Sequence, residues 1–183
     1  MKQIKFIGVM IIITVMTACG KSKQGSTQND VPEGWKILER SDFSIQYPND
    51  FELDLSGQMG MSFMILSPQT SPSDMFRENV NLIIQDLRGH NISFDDYVEI
   101  SKNQIETFVT DGSLVESKRT KTDDFELHTI IYTGKQGMFD LKWLQYYIFK
   151  NQTVYLLTFT AEAEQFDNYI DVARKIMDSF QIK

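Results

Sequence analysis

The sequence predicts an α+β domain, an antiparallel β-sheet of about eight strands sandwiched by helices. Three observations carry that expectation. Leu114–Thr122, Phe125–Lys135, Met138–Lys150 and Thr153–Ala161 are four consecutive strand-like runs separated by two-residue polar breaks, the pattern of an antiparallel meander. Phe166, Tyr169, Ile170, Ala173, Ile176, Met177 and Phe180 recur at spacings of three and four, an apolar helical stripe. Ser93-Phe94-Asp95-Asp96 opens a second helix. Strands in hairpin order followed by a helix favour α+β over a parallel α/β sheet.

The elements follow along the chain. Trp35–Leu38 begins the apolar pattern, and Phe43–Tyr47 alternates until Pro48-Asn49-Asp50 turns the chain. Phe51–Leu55 alternates again, Gly57–Gly60 turns, and Met61–Leu66 is a third apolar run. Ser67–Arg77 contains two prolines and reads as a loop. Val80–Leu87 is apolar on both faces. Ser93 accepts from the amide three residues on, while Asp96 reaches back, a variant of the capping box. Phe94, Val98, Ile105 and Phe108/Val109 then keep helical spacing, and Asp111-Gly112 is expected to end the helix. In the third meander strand Phe139, Leu141, Trp143, Tyr147 and Phe149 fall on one face and Leu144, Tyr146 and Ile148 on the other, so both faces must be covered.

The N-terminal region carries different information. Met1–Lys5 has two lysines and no acid, Phe6–Met16 is an apolar run, and Thr17 and Ala18 precede Cys19, the sole cysteine. This is the plan of a secretory signal peptide, shorter than the roughly 20 apolar residues of a spanning helix. Met16-Thr17-Ala18-Cys19 resembles the bacterial lipobox. The resemblance implies cleavage before Cys19, a diacylglycerol thioether on its sulfur and, in many bacteria, acylation of its new amino group with a fatty acid such as palmitate. One acyl chain holds a protein to a bilayer only marginally, whereas two or three do so durably. Residues 20–34, GKSKQGSTQNDVPEG, read as a flexible tether with a mean span of roughly 20 Å. The expected organisation is therefore a lipoprotein signal peptide at 1–18, lipidated Cys19 and tether at 19–34, and one domain at 35–183. No Asp follows Cys19, which in a Gram-negative cell favours the outer membrane facing the periplasm.

The 183 residues carry 18 Lys and Arg against 25 Asp and Glu, a net charge of −7. Lys2 and Lys5 fall in the signal segment, so the rest of the chain is more acidic still. Such a surface disfavours phosphate-based nucleic-acid binding and electrostatic attachment to anionic lipid.

DFSIQYPNDFEL, FRENVNLIIQDL, SFDDYVEISKNQIETFV and VARKIMDSFQIK together resemble, in order and spacing, the PsbP-like and DcrB-like proteins across essentially all of Trp35–Lys183. The resemblance implies an α/β/α sandwich. Many members are bacterial lipoproteins, and the superfamily has no shared enzymatic activity. Members serve as extrinsic photosystem subunits, as a Ran-binding protein and as chaperones of secreted effectors. A binding module is the implied class.

Chemistry-bearing motifs are sparse. His90 and His128 lie in separate elements without further ligands at metal-site spacing. Asp95-Asp96 suits a helix N-terminus and Asp123-Asp124 a hairpin turn. No nucleophile elbow, phosphate loop or dinucleotide fingerprint occurs. No enzyme activity, metal or cofactor is expected. Met75 and Phe76, in the Met-rich stretch Gly57–Arg77, are the candidate partner-contact residues, because Met side chains adapt to varied surfaces. The aromatics of Lys142–Tyr155 raise an alternative, a small-ligand pocket between sheet and helix. Two functions are thus expected: a non-catalytic envelope protein that binds a protein partner or assists a complex, or a lipid-anchored small-ligand binder.

Overall fold

The structure is a computed structural model that describes residues 31–121 and 125–183. Signal segment, Cys19, most of the tether and the Asp123-Asp124 turn lie outside the described residues. Residues 31–183 form one compact unit.

Alternating apolar residues give ten strands among the described residues: β1 (Trp35–Glu39), β2 (Phe43–Pro48), β3 (Glu52–Asp54), β4 (Phe63–Leu66), β5 (Asn79–Asp86), β6 (Thr110–Lys121), β7 (Glu126–Gln136), β8 (Phe139–Lys150), β9 (Thr153–Glu162) and β10 (Gln181–Ile182). Two α-helices interrupt them, α1 (Phe94–Phe108) and α2 (Phe166–Asp178), with a short 3-10 turn at Gln58–Gly60. Seven strands form one sheet in the order β3-β4-β5-β9-β8-β7-β6, and β1-β2-β10 form a small second sheet. Each of these pairings is antiparallel. The fold is α+β, as the hairpin order predicts.

The two-faced pattern of β8 explains the layering. Leu144, Tyr146 and Ile148 point to the same side as Phe63, Ile65, Leu82, Leu157 and Phe159. That face is closed by α2, through Ala173, Ile176 and Met177, and by the small sheet, through Leu38, Phe43 and Ile45. Leu141, Trp143 and Tyr147 point the other way, with Ile130 and Tyr132, and are closed by Phe94, Val98 and Ile105 of α1. Each fully buried side chain of this size contributes roughly 1.5–3 kcal/mol, so both layers are strongly held. The expected helix-on-each-face plan is present, with one face shared between a helix and a second sheet.

The capping box at α1 has the expected form. Ser93 Oγ accepts from the Asp96 amide at 3.1 Å, and Asp96 Oδ2 accepts from the Ser93 amide at 3.2 Å. Ser93→Ala removes the N-cap acceptor and is expected to cost about 1 kcal/mol, read as a lower urea midpoint with an unchanged m-value. At α2 the end is fixed differently. Ser179 Oγ donates to the Ile176 carbonyl at 2.6 Å and accepts from the Gln46 amide at 2.8 Å, tying the helix end to β2.

Three expectations need correction. The strand number is ten against about eight expected, because β10 has two residues, too short for a periodic signal; β3, with three, lies within the expected run Phe51–Leu55. Asp111-Gly112 does not lie between helix and strand but inside β6, where the register shifts between Thr110 and Ser113. Asp111 takes a positive φ of 53° there, so a dipeptide that reads as a turn is used as a strand irregularity. Phe180 lies beyond α2; its ring packs on Phe43 and Tyr155, at 5.6 and 5.8 Å between centroids.

Candidate functional site

The titratable residues are dispersed. His90 is exposed. His128 is buried under α1, with Nε2 2.7 Å from Ser117 Oγ and Nδ1 buried without a hydrogen-bond partner; burial holds its imidazole below the ordinary value. Asp96 serves the cap, and Asp95 pairs with Arg119, whose guanidinium lies 4.1 Å over the Phe94 ring. Among the described residues no group of three or more His, Cys, Asp or Glu is arranged to hold a metal ion.

The aromatic residues of β8 and β9 are occupied by packing. Trp143 stacks on Tyr132 at 4.7 Å between centroids, and Tyr147 is enclosed beneath α1 and meets Tyr97 edge-on. Between the sheet and α2 an apolar crevice beside Phe51, Val80, Phe159 and Tyr169 has a volume of about 10 Å³. A groove of about 420 Å³ does open elsewhere, between the end of β8 and β10, walled by Phe125, Ile148, Phe180 and Ile182 with Lys150 at its side. The aromatic-rich segment therefore borders two openings, this sheet-to-sheet groove and a polar-lined sheet-to-helix groove of about 570 Å³ between Phe149, Arg119 and Glu126 of the sheet and Ser93, Phe94 and Asp95 at the start of α1.

The two candidate contact residues separate. Phe76 is half-buried and meets Phe139 at 5.2 Å between ring centroids, which fastens the loop of residues 67–78 to the start of β8. Met75 beside it is 69% exposed. The loop is ordered by its own bonds: Asp74 accepts from the Thr70 amide at 3.0 Å and the Thr70 hydroxyl at 2.8 Å, and these bonds hold its carboxyl below the usual range. Arg77 Nε donates to the Ser67 carbonyl at 2.7 Å, closing the loop base.

Strand direction shows what lies near Met75. The C-terminal ends of β7 and β9, the start of β8 and the end of α1 all lie at the end of the large sheet from which this loop leaves. Met138, in the β7–β8 turn, is 74% exposed there, and Phe108, the last residue of α1, is 79% exposed. The helical stripe reaches the core through Phe108 or Val109; Val109 packs inward and Phe108 does not. Acids surround this rim. A groove of about 250 Å³ runs between the β7–β8 turn and the β9–α2 turn, lined by Met138, Asp140, Glu162, Glu164 and Gln165. Met138 and Phe108 escape sequence reasoning because each sits at an element boundary, where periodicity no longer says which way a side chain faces.

At the base of the rim Glu78 is 4% exposed. Ser67 Oγ donates to its Oε2 at 3.2 Å, yet desolvation pushes its carboxyl above the usual range. A raised acid pKa favours the folded state fully below the unfolded value of 4.5, and that contribution is lost as pH rises through the folded pKa. Glu78→Gln is therefore expected to raise the melting temperature at pH 7 to 8 and to leave no gain below pH 4.5. A lower melting temperature at pH 8 would mean that the carboxylate is needed by its neighbours.

No family model matches the chain, and no curated protein matches it. Solved structures do. Cyanobacterial PsbP from Synechocystis aligns over 87% of this chain and 99% of its own, with a TM-score of 0.64 at 13% identity. The fold is PsbP-like. LpqN of Mycobacterium tuberculosis, a protein involved in cell-envelope biogenesis, aligns over 81% of this chain and 90% of its own, with a TM-score of 0.59 at 12% identity. A Pseudomonas aeruginosa protein of unknown function aligns over 79% and 94%, with a TM-score of 0.56 at 14% identity. At these identities the likeness concerns the PsbP-like fold itself, and the rim must be judged on its own residues.

Proposed function

We propose that the chain is a non-catalytic protein of the bacterial cell envelope, anchored by lipid on Cys19, whose folded body of residues 35–183 binds a protein partner. The observation that carries the binding reading is the exposure of Met75, Phe108 and Met138 at one end of the large sheet. Large exposed apolar patches rimmed by polar residues mark interaction surfaces. Export is supported by the signal-like N-terminus, and an envelope role by the likeness to LpqN. No described helix is long and apolar enough to cross a membrane.

Crosslinking in intact cells, followed by isolation through a C-terminal tag, tests this reading. The expected result is one protein recovered reproducibly in stoichiometric yield. Recovery of the chain alone across crosslinker lengths would contradict it.

The groove beside β10 favours a second reading, a carrier of a small amphiphile. Apolar walls with Lys150 at the side suit an acyl chain with an anionic head. Saturable binding of dodecanoate to the purified domain, weakened by Lys150→Ala, would support it; unsaturable or absent binding would remove it.

A further inference from the structure

The rim has a definite chemistry. Met75 and Met138 project from two different connections that the Phe76–Phe139 contact holds together. Two polar hollows lie at this end of the sheet. A hollow of about 90 Å³ bounded by Thr70, Asp74, Glu162 and Gln165 shares Glu162 and Gln165 with the 250 Å³ groove bounded by Glu162, Glu164, Asp140 and Met138. Two cations are nearby: Lys135 is engaged by Asp111 at 3.0 Å and Asp140 at 4.0 Å, and Lys142 by Asp167 at 3.9 Å. Glu162 and Glu164 form no ion pair among the described residues.

We propose that this rim is the docking surface for a segment of a partner protein in which Lys or Arg side chains alternate with apolar ones. The inference rests on the reading of the chain as a protein-binding module and specifies which surface binds and what it binds. Charge complementarity selects the occupant: the carboxylates of Glu162 and Glu164, which form no ion pair among the described residues, attract basic side chains and repel acidic segments, nucleic acid and anionic lipid. The thioethers supply apolar contact that adapts to the partner. The hydrogen bonds of Asp74 pre-order the loop, so little ordering entropy is lost on docking.

The test places a photoreactive amino acid at Met75, at Met138 or at Met59 in the full-length chain, expressed in its own cells. Met59 is 83% exposed in the turn between β3 and β4, at the other end of β4 from the loop, and serves as the control. Adducts are mapped by mass spectrometry, and the mapped segment is synthesised and titrated against purified protein by fluorescence anisotropy. The expected result is a protein adduct from positions 75 and 138 but not 59, in a segment with net positive charge. Its affinity should fall at least tenfold in the triple variant Asp140→Asn, Glu162→Gln, Glu164→Gln and weaken with added salt. Circular dichroism and the melting temperature verify that the triple variant folds, and Met138→Ser provides an independent single change. Protein adducts from Met59 alone would overturn the rim while leaving the binding reading intact. Absence of protein adducts from all three positions would overturn the binding reading itself. Rim adducts to phospholipid, or a mapped segment that is neutral or acidic, would overturn the proposal.

Discussion

Leu144→Ala is expected to lower the free energy of unfolding by about 2–5 kcal/mol, the range for truncating a fully buried Leu. Leu144 has no exposed surface and lies in the middle of β8, paired with Ile131 on β7 and Phe159 on β9. It belongs to the core closed by α2 and the small sheet. Three structural layers meet there, so the surroundings can collapse only slightly into the space left. A domain of this size has roughly 5–15 kcal/mol in hand, so the loss is a large share of the total. The urea midpoint should fall with an unchanged m-value. A loss below about 1 kcal/mol, outside the range for a packed Leu, would mean that the two-sided covering of β8 is wrong.

Gly112→Ala is expected to be the second large effect. A Cβ at Gly112 would sit 2.6 Å from the Ile105 carbonyl oxygen and 2.9 Å from that of Val109. Both belong to the backbone at the end of α1, so relief requires the helix end to move. Overpacking of this kind costs about 1–3 kcal/mol, or roughly 5 °C in melting temperature for about 150 residues. Gly134 makes a useful comparison. A Cβ there meets the Val109 side chain at 2.3 Å, and that side chain can adjust, although the Thr110 carbonyl stands at 3.0 Å. Gly137→Ala, with nothing within 4 Å, meets only the strain of its positive φ of 60°. If Gly112→Ala unfolds no earlier than wild type, the close approach of α1 to β6 is not as described.

These residues also show what a sequence can and cannot disclose. The meander and the assignment of β8 residues to two faces were legible, because period-two patterning directly reports side-chain direction. The cap at Ser93 was legible because a local hydrogen bond defines it. Gly112 was not, because its requirement is space against a helix end contributed by other residues, and the Asp-Gly pair suggests a turn. β10 was not, because two residues have no period; their pairing with Phe43 and Ser44 depends on where α2 ends. At the rim Met75 was legible as a Met in a loop, whereas its separation from Phe76, the exposure of Met138 and the nearness of Glu162 and Glu164 required the strands to be assembled.

The proposed anchor at Cys19 lies outside the described residues, yet the proposed role depends on it, since a body tethered to the bilayer would meet partners that a free one does not. Fractionation of cells expressing the Cys19→Ser chain, with the intact mass of the mature wild-type protein, tests it most directly. The account predicts that wild type partitions with membranes, begins at Cys19 and carries a diacylglycerol mass, whereas Cys19→Ser is neither lipidated nor cut at that bond. A Cys19→Ser protein that remains in the membrane fraction and is cleaved at the same place would contradict it.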